Sequence, residues 1–571
     1  MELQPKTSAA VDTEAAVGTA PTALPATAGP DLANAWVGLA GLNADARDAT
    51  AAEHRMTLRE ALRLYPKAVF WSIVVSLVVI MDGYDTALIG TLFGFPAFQQ
   101  RFGVAVPGSS TGYQVQAKWQ TALGLASPLG NLVGIFLNGV LTERWGHKRT
   151  LLGAMAWLTA FIFMAFFAPN VGVLFGGEVL CGISWGIYTT LATAYASEVT
   201  PVVLRAYLET FVVLCWGIGQ LLSYGVLDGL MGNTTQWAWR IPFAVQWVWP
   251  VIIVPLVVFA PESPWWLVRK GRLADAERSV RRLTSAPPGT ADAAAYNVTT
   301  ARNAVALMVE TTQLERAMTE GAAWLDCFRG SNRWRTEISC VAWLSQVLVG
   351  FAITSYATYF FEQAGLQSSD AYKLTVGLGG LHFCCTLSST LITARHGRRP
   401  IFLAGAISMS LVMFVIGFMS VAQDTRGGSA RSYGFAGAAF YFLWYACYQL
   451  TIGPMAFIIV AETSSTRLRS KTISLARNTY NIGVICSSTV APYVLGSTEG
   501  NWKGKSGFLA AGFSLGIFVW AYFRLPECKG RTYEELDVLF AKGLRARDFA
   551  SYQFDREADV ERKMADLEHV E

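Results

Sequence analysis

Two carboxylates stand three residues apart inside the first long apolar run of the chain: Asp82 and Asp85, in VVIMDGYDTALIG, within Val69 to Phe98. On a helix, that spacing puts both on one face. A carboxylate at bilayer depth is costly to keep charged unless it is paired or faces water. Two on one face therefore indicate a polar pathway, the alternative being buried acids satisfied by a neighbouring helix. Gly83 and Gly90 thin the same helix and admit close neighbours. Elsewhere in apolar runs lie Glu178 and Arg477. Three acids against one base leave at least one acid protonated or wet, and an acid whose wetness or partner changes between two states can carry a proton. Asp85 is the expected proton site, with Arg477 its basic partner and Asp82 assisting; Glu178 divides evenly between coupling and structure.

The elements that position these groups follow from composition. Of 571 residues, 53% are hydrophobic and only 15% charged, against about 25% charged in a soluble domain. The chain is expected to be an all-α membrane protein. Apolar runs of spanning length cover 68–95, 120–141, 150–168, 173–197, 207–230, 243–260, 338–362, 373–394, 401–421, 433–461, 472–495 and 507–524. Residues 1–65 read as a disordered tail, rich in Ala, Thr and Pro and with no signal-peptide core. A first half is expected over 66–260, a linker with short helices over 261–337, a second half over 338–524 and a tail over 525–571. The net charge of +4 gives no ground for a nucleic-acid partner. The nine cysteines show no paired spacing, so neither a disulfide framework nor a metal site is expected.

Lys and Arg set the orientation. Arg144, Lys148 and Arg149 follow run 2, Arg395, Arg398 and Arg399 follow run 8, Arg467, Arg469 and Lys471 precede run 11, and Arg524, Lys529 and Arg531 follow run 12. All fall on one side with both termini, which predicts that side to be cytosolic. Asn233-Thr234-Thr235 is then a glycosylation sequon on the outside.

Three patterns recur in order at an offset of about 250 to 265 residues. GVLTERWGHKR (Gly139 to Arg149) is echoed by TLITARHGRR (Thr390 to Arg399). Glu198 precedes Arg205 by seven, as Glu462 precedes Arg469. PESPWW from Pro261 is matched by PECKGR from Pro526. A parallel repeat of six spans with a site between halves is a transporter arrangement. The repeated acids and guanidiniums (Glu143, Arg144, Arg149, Glu198, Arg205, Arg395, Arg398, Arg399, Glu462 and Arg469) are expected to form a gate, pairing when the halves close there. Plain positive-inside signalling accounts for some of these arginines.

GYDTALIG, GVLTERWGHKR, the two Glu-to-Arg patterns, PESPWWL and PECKGRTYEELD resemble the sugar porter branch of the major facilitator superfamily. GEVLCGISWGIY, RIPFAVQWVWP, YATYFFEQAG, LRSKTISLARNTYNI and NWKGKSGF are similar to stretches of the fungal α-glucoside (maltose) permeases. The resemblance covers about residues 60 to 545. It implies twelve transmembrane helices in two six-helix repeats, and a proton-coupled sugar importer of the plasma membrane working by alternating access as a monomer. By position, Asp85 matches the protonatable first-helix acid, Asp82 stands where the α-glucoside group has Glu, and Arg477 matches an intramembrane arginine. Gln220 and Gln346 match sugar-binding positions. Glu178 stands where hexose and xylose porters carry an arginine, and Asn131, Val347 and Cys528 depart from the pattern.

Sugar recognition needs directed donors and acceptors with aromatic faces. On run 11, Arg477, Tyr480 and Asn481 share a helical face and Asn478 adjoins it. With Gln220, Gln346 and Tyr356 these are the candidate ligand contacts, each weighed against interhelical hydrogen bonding. His382 reads as a packed residue. Two other readings stay open: efflux of a secondary metabolite, and a non-transporting sugar sensor. No nucleophile–base set, phosphate loop or metal spacing points to an enzyme, and no cofactor is expected.

Overall fold

A computed structural model describes residues 56–552 apart from 107–111, 288–291, 320–322, 351–356, 364–365, 427–429, 466–467, 496–499, 501, 530, 532–535 and 537–538. Tyr356 and the tail beyond 552 lie outside the described residues. Ten described helices are long and apolar enough to cross a membrane: Pro66–Leu92, Ala117–Trp145, His147–Phe166, Val171–Val199, Val203–Leu230, Trp237–Phe259, Ser368–Thr393, Arg398–Gln423, Ser432–Thr463 and Ser506–Arg524. Span 7 runs as Gly330–Leu348 and Ala357–Gln363, and span 11 is Arg469–Leu495. Span 11 is a long helix whose hydropathy is depressed by Arg477, Asn478 and Asn481. Span 10 breaks between Leu450 and Ile452 because Pro454 has no N–H to return to the Leu450 carbonyl.

The packing repeats with a shift of six. Span 1 packs on 5 as 7 packs on 11, span 2 on 4 as 8 on 10, and span 3 on 6 as 9 on 12. The halves meet along two seams, span 5 against 8 and span 2 against 11, and the same shift turns one seam into the other. Glycine sets the closest crossings. A Cβ on Gly83 would lie 2.0 Å from the Trp216 carbonyl oxygen, and one on Gly219 would lie 2.0 Å from that of Ile80, so spans 1 and 5 touch backbone to backbone.

At the face opposite the arginine-rich loops, several contacts join the halves. Gln114, in a small hairpin (Val104–Ala105 with Tyr113–Gln114), donates to the Tyr359 hydroxyl at 2.5 Å, and the Tyr372 hydroxyl donates to the Thr91 carbonyl at 2.6 Å. Thr121 donates to the Thr489 carbonyl at 3.4 Å.

Two segments differ from expectation. Residues 57–65, assigned to the disordered tail, include a helix, Leu58–Leu64, capped reciprocally by Thr57 and Glu60. Its Ala61 is fully buried against Leu204 and Leu208, so apolar packing overrides the tail's composition. After span 12, Leu536, Leu539, Phe540 and Phe549 are buried, Arg335 donates to the Leu536 carbonyl, and Arg531 donates to those of Phe549 and Tyr552. The linker carries Pro264–Arg269, Leu273–Leu283 and the 27-residue Ala293–Thr319. In it, hydrogen bonds from Arg272, reinforced by Arg278, hold the Asp275 carboxyl below the usual carboxylate range.

Candidate functional site: an acid cluster between the halves

Asp82 and Asp85 both lie on the buried helix Val78–Leu92, at 6% and 1% exposure. Because Gly83 has no side chain, the Trp216 backbone of span 5 packs directly against the turn that carries Asp82. Asp85 faces spans 4 and 6. Trp185 Nε1 donates to its Oδ2 at 3.0 Å and Gln246 Nε2 to its Oδ1 at 2.9 Å. Glu178, on span 4 and 1% exposed, lies beside Asp85, and its Oε2 has no hydrogen-bond partner.

Arg477 approaches from the other half. Its guanidinium lies over the Trp343 ring at 4.7 Å and the Tyr480 ring at 5.0 Å. The acid its charge acts on is Asp82. Asp85 is held by Trp185 and Gln246, and among the described residues Arg477 forms no ion pair with either acid.

The expected ligand contacts are spread along the same interior. Gln220 is buried with its Oε1 unpartnered. The Gln346 amide is committed to the Gly453 carbonyl, 2.7 Å away, at the break in span 10. Tyr480 sits under Arg477, Asn481 is half-buried and Asn478 is exposed. His382 is buried, with Nδ1 shared by the Tyr445 hydroxyl at 3.0 Å and Gln449 Nε2 at 2.9 Å. Its Nε2 has no partner, and its ring presses on Gly217, where a Cβ would lie 2.6 Å away.

The gate motifs assemble as one unit, built twice. Glu262, of PESPWW, accepts the backbone N–H groups of His147 at 2.9 Å and Lys148 at 3.3 Å, capping span 3. Glu527, of PECKGR, accepts those of Arg398 at 2.9 Å and Arg399 at 3.1 Å, capping span 9. Only glycine fits before each cap: a Cβ on Gly146 or Gly397 would meet the carboxylate at 2.5 or 2.2 Å. Glu462 grips Arg398 through both Nε at 3.0 Å and Nη2 at 2.8 Å. Glu198 instead bonds Arg269 at 2.7 Å and the Ser263 hydroxyl, with His147 at 3.6 Å. These ion pairs lie within one half or between a half and the linker. Arg205 donates to the Thr200 carbonyl at 3.4 Å. Glu143, Arg144, Arg149 and Arg395 are exposed, and among the described residues their side chains enter no ion pair; Arg399 donates to the Tyr522 carbonyl. Arg469 remains half-buried at the start of span 11.

Trp185, Trp216, Gln246, Glu262 and Glu527 were not singled out by spacing, although all but Trp216 fall inside the quoted family-like stretches.

Comparison with known proteins places this geometry. The profile of the Sugar (and other) transporter family matches residues 71–540. The chain is 36% identical over 531 residues to Maltose permease MAL31 of Saccharomyces cerevisiae, covering 92% of this chain and 84% of that protein. It is 35% identical over 509 residues to the General alpha-glucoside permease of the same species, covering 89% and 80%. Among solved structures it resembles the proton:xylose symporter XylE bound to 6-bromo-6-deoxy-D-glucose, with TM-score 0.64 and 22% identity over 83% of this chain and 100% of that one. The inward open xylose transporter XylE from E. coli gives 0.63 and 21%, over 82% and 98%. The chain therefore has the fold of these symporter structures and belongs to the Sugar (and other) transporter family, as a multi-pass membrane carrier and not an enzyme.

Proposed function

We propose that the chain imports α-glucosides such as maltose with protons across the plasma membrane, as a monomer with both termini in the cytosol. The observation that carries this reading is the burial of Asp85 and Glu178 beside Asp82, with Trp185 and Gln246 donating to Asp85. A pair that needs a proton while dry can release it when water enters, and alternating access wets it from each side in turn. Asp82, one turn away and under the Arg477 charge, reports the state of the pair to the other half. Gln220, Gln346, Tyr356, Asn478, Tyr480 and Asn481 are the proposed sugar contacts. Sugar hydroxyls supply the donors that the Gln220 Oε1 lacks, and the rings under Arg477 offer an apolar face. The arginine-rich face is assigned to the cytosol, with the paired glutamates and arginines as its gate, and Asn233 to the outside. The substrate class follows the maltose and α-glucoside permeases that the chain resembles.

The test is uptake of labelled maltose, with glucose and sucrose alongside, in a yeast lacking its own sugar permeases. Wild type and Asp85→Asn are compared with and without a protonophore. Loss of uptake on both treatments supports symport through this acid. Uptake that survives the protonophore means facilitated diffusion, and no uptake by a protein shown at the cell surface favours efflux or sensing.

A further inference from the structure

One more carboxyl is enclosed between the halves, away from the acid cluster. Glu362 stands on Ala357–Gln363, the second piece of span 7, and its Oε1 is buried without a hydrogen-bond partner. Among the described residues Ser368 is the polar side chain beside it. Across the seam it lies against Gly94, at the end of span 1, where a Cβ would meet Oε2 at 2.6 Å and Cδ at 3.0 Å. Phe95 meets Tyr372 edge-on at 5.9 Å beside it.

No cation pairs with Glu362 among the described residues. The titratable groups nearest in the chain on the elements around it are Tyr359 on its own helix; Asp370, Tyr372 and Lys373 at the start of span 8; Asp85, nine positions before Gly94 on span 1; Arg101 on the short helix that follows; and Lys503 and Lys505 on the 3-10 turn before span 12. Among the described side chains, none of these forms a salt bridge with it. A carboxylate here, with one hydroxyl to hold it, costs several kcal/mol, whereas the neutral acid is far cheaper to bury. Gly94 is the lid on this pocket. When the halves part at this face, Gly94 withdraws, water reaches the carboxyl and the penalty disappears.

We propose that Glu362 is a second proton-binding site, which ties closure of the face opposite the arginine-rich loops to proton uptake. By linkage, the state that binds the proton better gains from acid: lower pH closes this face, and higher pH lets it open. On the orientation taken under Proposed function, the protons come from outside and seal the carrier behind an entering solute. The closure itself is read without transport, so failure of the transport reading leaves the test intact.

The test introduces Thr121→Cys and Thr489→Cys, which touch across the seam on the same face, and measures cross-linking by a short bis-maleimide in membranes at pH 5 and pH 8. The two single-cysteine chains give the background from Cys384 and Cys486, which are exposed. The same pair is built with Glu362→Gln, and yields are compared at each pH so that the thiol chemistry cancels. The yield relative to the Glu362→Gln chain is expected to fall by about threefold or more from pH 5 to pH 8. A ratio that does not change with pH overturns the proposal. Should Glu362→Gln fail to reach the membrane, Gly94→Ala serves instead: by displacing the carboxyl from its pocket it should depress cross-linking at pH 5 and flatten the pH response. A pH response identical to that of the unaltered pair overturns the proposal equally.

Discussion

Glu262 and Glu527 each tie the end of one half's last span to the start of its third, and neutralising either should loosen that half as a unit. Each carboxylate accepts two main-chain N–H groups at a helix start. A bond to a charged acceptor contributes about 1.5–3 kcal/mol and a neutral one about 0.5–1.5, so glutamine in place of glutamate loses about 1–1.5 per bond, or about 2–3 kcal/mol for the two. The favourable field at a helix N-terminus adds about 0.3–1 kcal/mol. For a cooperative unit the size of one half, the sum of about 2.3–4 kcal/mol corresponds to a drop of roughly 5–16 °C in the unfolding midpoint. The assay is thermal unfolding of detergent-purified protein followed by size-exclusion, with Glu262→Gln, Glu527→Gln and the exposed Glu143→Gln as control. Gly397→Ala sharpens the experiment, because its Cβ takes the place of a Glu527 oxygen. Combined with Glu527→Gln it should cost little more than either change alone, since both remove one interaction. Midpoints for Glu262→Gln and Glu527→Gln that match the Glu143→Gln control, or full additivity with Gly397→Ala, would refute the reasoning.

Gly83→Ala drives a methyl into the Trp216 backbone and should cost about 1–3 kcal/mol or more, pushing span 5 away from the turn that carries Asp82; transport per molecule at the surface should fall, and unchanged transport would mean the crossing is not needed. Thr57→Ala removes the cap of Leu58–Leu64 at a cost of about 1 kcal/mol, seen as about fivefold faster amide exchange confined to that helix. Asn233 lies in the turn between spans 5 and 6, its Oδ1 accepting from the Thr235 N–H at 2.9 Å and hydroxyl at 2.7 Å. Asn233→Gln should abolish any glycosidase-sensitive mobility shift, whereas a shift that persists would place the sugar elsewhere.

The architecture was legible because spanning length and periodic loop motifs are local properties of the chain. Span 11 was found in the sequence despite Arg477, and the repeat was visible in three short patterns. What stayed hidden was decided by contacts between distant segments. Spacing along span 1 cannot say that Gly83 admits the Trp216 backbone, or that Trp185 and Gln246 donate to Asp85. The gate arginines were read by charge, yet the unit is organised by two glutamates accepting backbone N–H groups, a role that leaves no charge pattern. Residues 57–65 were placed in the tail by composition, and one buried alanine against Leu204 and Leu208 was enough to dock them. Gln346, a candidate ligand contact, also sends its amide to the Gly453 carbonyl at the span 10 break, a site visible in sequence only as Pro454.

Arg477 rests on ring faces, and a ring face is a broad target with no preferred direction in its plane. The well that holds the guanidinium is therefore shallow in angle, unlike the forked grip of Glu462 on Arg398. On the transport reading proposed above, that freedom lets the charge turn from Asp82 to a ligand hydroxyl without first breaking a directed bond, so that span 11 offers a swivelling cation to each partner in turn.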